Sequence, residues 1–307
     1  MHLISHSQLS TFRECLRKYR FKYVLGRETV SLDPKLYFGR IWDDATGIWW
    51  KDGVEAAVEW LCANAAAIDP VDAAKIAALL KHYSPPRSRF RFVDNQVRKE
   101  IPVRNPDTGY PMHGMRLLCI ADSLLEDMET GALIIREAKS TTNDIKEFGP
   151  YWRRLQVSSQ VNFYYLAFGA DVLFYDVARR PTLKCCGKDE AAAKERHETP
   201  TRQQIVDAYQ DRLEADIADD PEKFFQWRPI HKTDDDLTVA MCDLYQQARM
   251  LRESWKQSWW PRNSNACRGM FGVCPFLQVC TGQASIEDES LFQTTEWARQ
   301  RQLPVVA

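Results

Sequence analysis

Residues 115–139 decide the fold: MRLLCIADSLLE (115–126), DMETG (127–131) and ALIIREAK (132–139). The first segment reads as a strand. The last is rich in apolar and β-branched residues and reads as its return strand. Met128-Glu129-Thr130-Gly131 between them has the composition of a tight turn. With that turn centred between Glu129 and Thr130, antiparallel pairing sets Asp122 opposite Glu137. Directly opposed side chains have Cβ atoms ~4.5–5.5 Å apart. Glu137 and Lys139 are two apart on a strand and share one face. Two acids and one lysine therefore converge. Carboxylates that close repel each other unless a cation lies between them, and their hard oxygens suit Mg²⁺ or Mn²⁺. Such a cluster can hydrolyse a phosphodiester, with Lys139 orienting the attacking water or neutralising developing charge. On a wet face the same three residues would be ordinary cross-strand ion pairs.

Outward from the hairpin, residues 90–104 alternate loosely as a strand, and Asn105-Pro106-Asp107-Thr108-Gly109 is a turn. Residues 151–168 read as a helix and 170–178 as another strand. Towards the N-terminus, 7–24 read as one amphipathic helix capped by Ser7, with Leu9, Phe12, Leu16, Tyr19 and Tyr23 at helical spacing. Residues 53–82 are Ala-rich and helical, broken near Pro70, and Pro85-Pro86 marks a loop. Residues 184–200 predict an exposed loop or short helix, 201–218 and 233–258 helices, and 224–230 a strand. The chain after Pro261 is irregular and cysteine-rich. There is no internal repeat.

The chain has 307 residues and a net charge of −1, so global charge does not announce a polyanionic partner. Local charge says more. Residues 1–40 hold eight cations against three acids, and Arg87, Arg89, Arg91, Arg98 and Lys99 form a second basic stretch. The N-terminus lacks a secretory pattern, and no window approaches ~18 uninterrupted apolar residues. These features predict a cytoplasmic protein (host cytosol if virus-encoded) with reduced or metal-bound cysteines. The six histidines show no pair at ligand spacing.

Cys267, Cys274 and Cys280 form C-x6-C-x5-C in a loop-like segment. Thiolates so placed are typical of zinc or iron–sulfur ligation, and either needs a fourth ligand that the spacing does not supply. Cys62, Cys119 and Cys242 fall in apolar patterns and are expected in the core. The adjacent Cys185 and Cys186 are poor joint ligands.

The spacing Asp122…Glu137-Ala138-Lys139 resembles the D…(D/E)xK motif of the PD-(D/E)xK nucleases. Three features resemble the RecB-type branch, which includes the CRISPR-associated iron–sulfur exonucleases. Gln160 and Tyr164 form a Q-x-x-x-Y pair one helical turn apart. Ser7, Leu9, Phe12 and Cys15 match an opening helix of the type S-x-L-x-x-F-x-x-C. The cysteine-rich tail is the third. The resemblance implies catalytic roles for Asp122, Glu137, Lys139, Gln160 and Tyr164. It implies Mg²⁺ or Mn²⁺ held by Asp122, Glu137, Ala138 and Asp43, and a 4Fe–4S cluster on Cys15, Cys267, Cys274 and Cys280 that staples the chain ends together. Two departures stand out. The branch has G-x-x-x-H where this chain has Gly39-Arg40-Ile41-Trp42-Asp43, and Cys119 stands where a glycine is usual. The resemblance covers roughly 5–43, 98–178 and 262–282.

The expectation is therefore an α/β fold with a restriction-endonuclease-like core, a central mixed sheet flanked by helices, and a helical, cluster-bearing lobe. One nuclease unit over 1–307 would comprise an N-terminal helix and cluster half (1–50), a helical insert (51–97), the catalytic core (98–180), a helical region (181–260) and a C-terminal cluster segment and tail (261–307). The function implied is a metal-dependent DNA exonuclease acting on single strands or ends in recombination, repair or replication. DNA is the expected partner, with no membrane and with a homo-oligomer or a recombination protein as further partners. Trp42, Trp49, Trp50, Tyr151 and Trp152 are candidates to stack on bases. The lack of a P-loop argues against a helicase fusion. Two rivals stand beside this: a catalytically inactive, cluster-stabilised DNA-binding or assembly protein, and a zinc-stabilised protein of unrelated function.

Overall fold

The hairpin stands in the expected register, with Ser123 paired to Arg136, Leu124 to Ile135, Leu125 to Ile134 and Glu126 to Leu133. Its turn is closed by Asp127, whose N–H donates to Ala132 O at 3.0 Å and whose carboxylate accepts from Glu129 N at 2.9 Å. Gly131 sits there at φ +71°, a conformation most side chains avoid. The computed structural model describes residues 2–30, 34–269 and 272–295. Positions 1, 31–33, 270–271 and 296–307 lie outside them, including parts of the basic N-terminal stretch and of the expected C-terminal segment.

In chain order, β1 (His2–Ser5) leads into α1 (His6–Glu14) and the short α2 (Leu16–Tyr19), followed by β2 (Arg27–Thr29). Three helices follow, α3 (Pro34–Asp52), α4 (Val54–Ala63) and α5 (Pro70–His82). Then come β3 (Phe90–Arg104), β4 (Pro111–Asp127) and β5 (Leu133–Thr141). Helices α6 (Pro150–Leu155) and α7 (Ser159–Phe168) connect to β6 (Val172–Arg179). Helices α8 (Gly187–Arg196), α9 (Arg202–Asp219) and α10 (Pro221–Phe224) precede β7 (Phe225–Ile230) and the long α11 (Asp234–Gln257). The chain continues through β8 (Arg268–Gly269), β9 (Gly272–Val273), α12 (Leu277–Cys280) and β10 (Phe292–Thr294).

The chain forms two compact units. One comprises Pro34–Lys99 and Ile120–Thr233. Its sheet is mixed: the second half of β4 runs antiparallel to β5, β5 parallel to β6, and β6 antiparallel to β7. A parallel pair needs a crossover, and α6 with α7 supply it. Trp42, Trp50, Leu79, Leu80, Leu125, Ile134, Tyr209 and Leu213 are in its apolar core. A buried ion pair lies there as well. Arg136 Nε donates to Asp176 at 2.7 Å, Tyr83 OH donates to the same carboxylate, and Trp50 Nε1 donates to Tyr83 OH at 2.9 Å.

The other unit comprises Met1–Asp33, Glu100–Cys119 and Asp234–Ala307. In it β1 lies parallel to the first half of β4, β2 pairs with β10, and Phe21, Phe276 and Phe292 form a small core. The expected single helix over 7–24 is broken. Ser5, not Ser7, caps α1 by accepting from Gln8 N at 3.3 Å, and Cys15 is extended at φ −163°. The break is fixed from far along the chain. Asn263 donates to Glu14 O at 2.8 Å, Arg17 N–H to Pro261 O at 3.1 Å and Arg17 Nε to Trp260 O at 2.8 Å. Among the described residues no helix is long and apolar enough to cross a membrane.

Candidate active site

Strand β4 and strand β5 stop exchanging ladder bonds just where the candidate site residues begin. Beyond Ser123↔Arg136, the main-chain N–H of Ala138 donates to Asp122 Oδ2 at 2.9 Å. A carboxylate thus replaces a backbone acceptor. In an extended strand a residue's N–H and C=O point to the same side, so the Ala138 carbonyl faces the Asp122 edge too. Lys139 donates to Glu137 Oε1.

Helix α7 closes over this face. Gln160 Nε2 donates to Glu137 Oε1 at 2.6 Å and lies 3.1 Å from Tyr164 OH, which donates to Ile120 O at 2.9 Å. The Q-x-x-x-Y spacing therefore places one amide on the acid and one phenol on the strand bearing Asp122. From helix α3, Asp43 accepts from Gln96 Nε2 at 3.0 Å. Gln96, absent from the sequence-based candidates, lies on β3 at φ +50°.

The electrostatics show a site short of positive charge. Glu137 is 0% exposed, and its Oε2 has no hydrogen-bond partner among the described residues. Burial, then the charge of Asp122, pushes its carboxyl up to about 8. Burial and Asp122 likewise push Asp43 up to about 7. For Lys139 burial acts downward, but Glu137 and Asp122 outweigh it and hold its ammonium above the usual lysine range. Among the described residues no three His, Cys, Asp or Glu side chains are arranged to hold a metal ion as they stand. The donor chemistry nonetheless fits a hard divalent cation: oxygen donors, two of them disfavoured as bare anions, and one buried oxygen with no partner.

The cysteines divide. Cys15, Cys267, Cys274 and Cys280 all line one cavity of about 30 Å³, with Lys18 and Arg262. Burial pushes the Cys274 and Cys280 thiols up, and the neighbouring cysteines act in the same direction. Four soft donors around one cavity fit a thiolate-bound metal group. Cys119 is buried as expected, but Cys62 is exposed, because it falls on the outer face of α4. None of the cysteines is disulfide-bonded.

The aromatic expectation is corrected for the tryptophans, while Tyr151 is half-buried. Trp42, Trp49, Trp50 and Trp152 are buried, and Trp152 Nε1 donates to Ile145 O at 2.9 Å. In the loop after β5 the exposed ring is Phe148, 76% accessible and carried at φ +59°. Arg153 Nε donates to its carbonyl at 3.1 Å.

No curated protein sequence is similar enough to match the chain. Similarity to solved structures is at low identity. A protein from Eubacterium rectale, provisionally assigned as an exonuclease, is 13% identical over 92% of this chain and 88% of its own, with a TM-score of 0.44. The protein SSO0001 is 13% identical over 92% and 87%, with a TM-score of 0.37. A family model of the PD-(D/E)XK nuclease superfamily matches residues 3–281, a span that holds the paired acids, the lysine and all four cavity cysteines, and the chain belongs to that superfamily.

Proposed function

We propose that the protein is a metal-dependent DNA nuclease that degrades single strands or DNA ends. The observation that carries this is Glu137, a fully buried carboxyl with one oxygen that has no hydrogen-bond partner among the described residues, set beside Asp122 and Lys139. Asp122, Glu137, Asp43 and the carbonyl of Ala138 would hold Mg²⁺ or Mn²⁺, which lowers the pKa of water and offsets charge on a phosphoryl group. Gln160 orients Glu137 by its 2.6 Å hydrogen bond. Tyr164 holds that amide in place through Ile120 O. Lys139, kept protonated by the acids, is placed to neutralise charge that develops on a phosphate oxygen. Phe148 offers a base-stacking surface in the loop that follows the catalytic strand.

The second component is structural. Cys15, Cys267, Cys274 and Cys280 take a 4Fe–4S cluster that ties the opening helix to the C-terminal segment. The four thiols lining one cavity support this.

End-labelled single- and double-stranded DNA, incubated with Mg²⁺ or Mn²⁺, tests the activity. Wild type should shorten the label from an end, and Asp122→Ala, Glu137→Ala and Lys139→Ala should not. A wild type that cuts neither substrate, or variants that cut as well, would overturn the proposal.

A further inference from the structure

Strand β3 contains a kink that its sequence does not require. Gln96 stands at φ +50°, left-handed backbone that L side chains other than Asn and Asp seldom adopt. Such geometry persists where the surroundings over-determine it, and it clusters at functional sites.

Three contacts hold this corner. Gln96 Nε2 donates to Asp43 Oδ2 at 3.0 Å. The preceding residue, Asn95, accepts from Ser123 Oγ at 3.0 Å, and Ser123 is the fully buried neighbour of Asp122. Asn95 also presses on α3 at Gly47, where an added Cβ would come within 2.6 Å of its Nδ2 and 3.2 Å of its Oδ1. Gly47 follows Asp43 by four residues, so the two lie on one face of α3 a turn apart. The missing side chain at Gly47 lets Asn95 approach the helix. The left-handed turn at Gln96 then carries the next side chain back onto Asp43. Of the three acids of the site, the corner is thus tied directly to Asp43, and through Ser123 to the strand that bears Asp122.

We propose that the Asn95–Gln96 corner is a positioning device for Asp43, in which Gln96 binds one carboxylate oxygen and turns the other towards the divalent cation. This rests on the reading of Asp43 as a metal ligand. An aspartate at the edge of a site can rotate away from it. An amide donor brought over it by the left-handed turn limits that freedom, as outer hydrogen bonds do for other metal ligands. Gln96 touches neither substrate nor reacting atoms in this role, and its effect is on metal affinity.

The test is Mn²⁺ binding to the full-length, Mg²⁺- and Mn²⁺-free protein without DNA, followed by the electron paramagnetic resonance of free Mn²⁺. Asp43→Ala should weaken binding. Gln96→Ala should weaken it about 10–100-fold. Gln96→Gly adopts the left-handed turn without strain but lacks the amide, and should weaken binding as Gln96→Ala does. Gly47→Ala, which displaces Asn95, should act in the same direction. In the Asp43→Ala background, Gln96→Ala should cost nothing further, because the carboxylate it orients is gone. In cleavage assays the Gln96→Ala defect should be recovered by raising Mn²⁺, a rescue that general loosening of the fold would not produce.

Wild-type affinity in both Gln96→Ala and Gln96→Gly would overturn the proposal. So would an equal loss whether or not Asp43 is present. Should Asp43→Ala bind Mn²⁺ as tightly as wild type, the ligand reading fails and the positioning role falls with it. A wild type that binds Mn²⁺ but cuts no DNA would instead count against nuclease activity alone.

Discussion

Asp122 Oδ2 accepts the main-chain N–H of Ala138 at 2.9 Å, so the second strand of the hairpin itself fixes the orientation of this carboxylate. Its charge is also a cause of the upward shifts of Glu137 and Asp43. Asp122→Asn can keep an oxygen towards Ala138 while it removes that charge. The metal-free variant should gain about 1 kcal/mol of stability, the scale of one pKa unit. Cleavage should fall about a hundredfold or more, since even the loss of an outer partner of a metal ligand costs about 10–100-fold. Thermal unfolding in EDTA and a gel assay check both, and a destabilised but active variant would contradict the assignment.

Asp43 and Glu137 both have folded pKa values above their unfolded ones, near 7 and 8. A raised acid binds its proton more tightly in the folded state. The resulting stability is complete below about pH 4 and is lost as pH rises through 7 and 8. Metal-free protein should therefore melt at a lower temperature at pH 8 than at pH 6. Cation binding displaces these protons, so apparent Mn²⁺ affinity should rise over the same window, about tenfold per pH unit for each carboxyl still protonated. Melting curves from pH 5.5 to 8.5, with EDTA or with Mn²⁺, decide this. A flat or rising EDTA series would refute it.

Gln160 Nε2 bonds Glu137 at 2.6 Å, while Tyr164 OH accepts from that amide and donates to Ile120 O. Gln160→Ala should lower kcat about 10–100-fold. Tyr164→Phe should cost less activity and about 1 kcal/mol of stability, because Ile120 O loses its donor. Single-turnover cleavage ranks the two, and the reverse order would show that Tyr164 itself meets the substrate.

The Arg136–Asp176 pair is buried at both ends. Removing either charge leaves the other stranded, at a cost of about 3–5 kcal/mol. Arg136→Met and Asp176→Leu should each unfold at lower urea than the double variant, in which no unpaired charge remains. Urea titrations of all three provide the comparison.

The four cavity cysteines should share one spectroscopic fate. Protein purified without oxygen should be brown and bleached by dithionite. Cys15→Ser, Cys267→Ser, Cys274→Ser and Cys280→Ser should each lose the colour, while the exposed Cys62→Ser keeps it. Colourless wild-type protein containing zinc would replace the cluster with a zinc site.

Much of the candidate site was legible along the chain because its geometry is local. The side-chain period of a strand and the single tight turn at 128–131 force the register, and its continuation past Ser123↔Arg136 carries Asp122 towards Glu137 and puts Lys139 on the same face. Helical spacing likewise sets Gln160 and Tyr164 a turn apart. What remained hidden depends on contacts between segments distant in sequence. Gln96 meets Asp43 across 53 positions, and Arg136 meets Asp176 across 40. The break of the opening helix at Cys15 is held by Asn263, 249 positions from Glu14. The tryptophans that composition offers as stacking surfaces became core, because an aromatic ring gains most by burial wherever the fold lets it pack. Sequence periodicity determined which acids face each other; only tertiary packing decided what orients them, what neutralises the buried charges beneath, and which thiols share a cavity, since those depend on surfaces that exist only once the chain has folded.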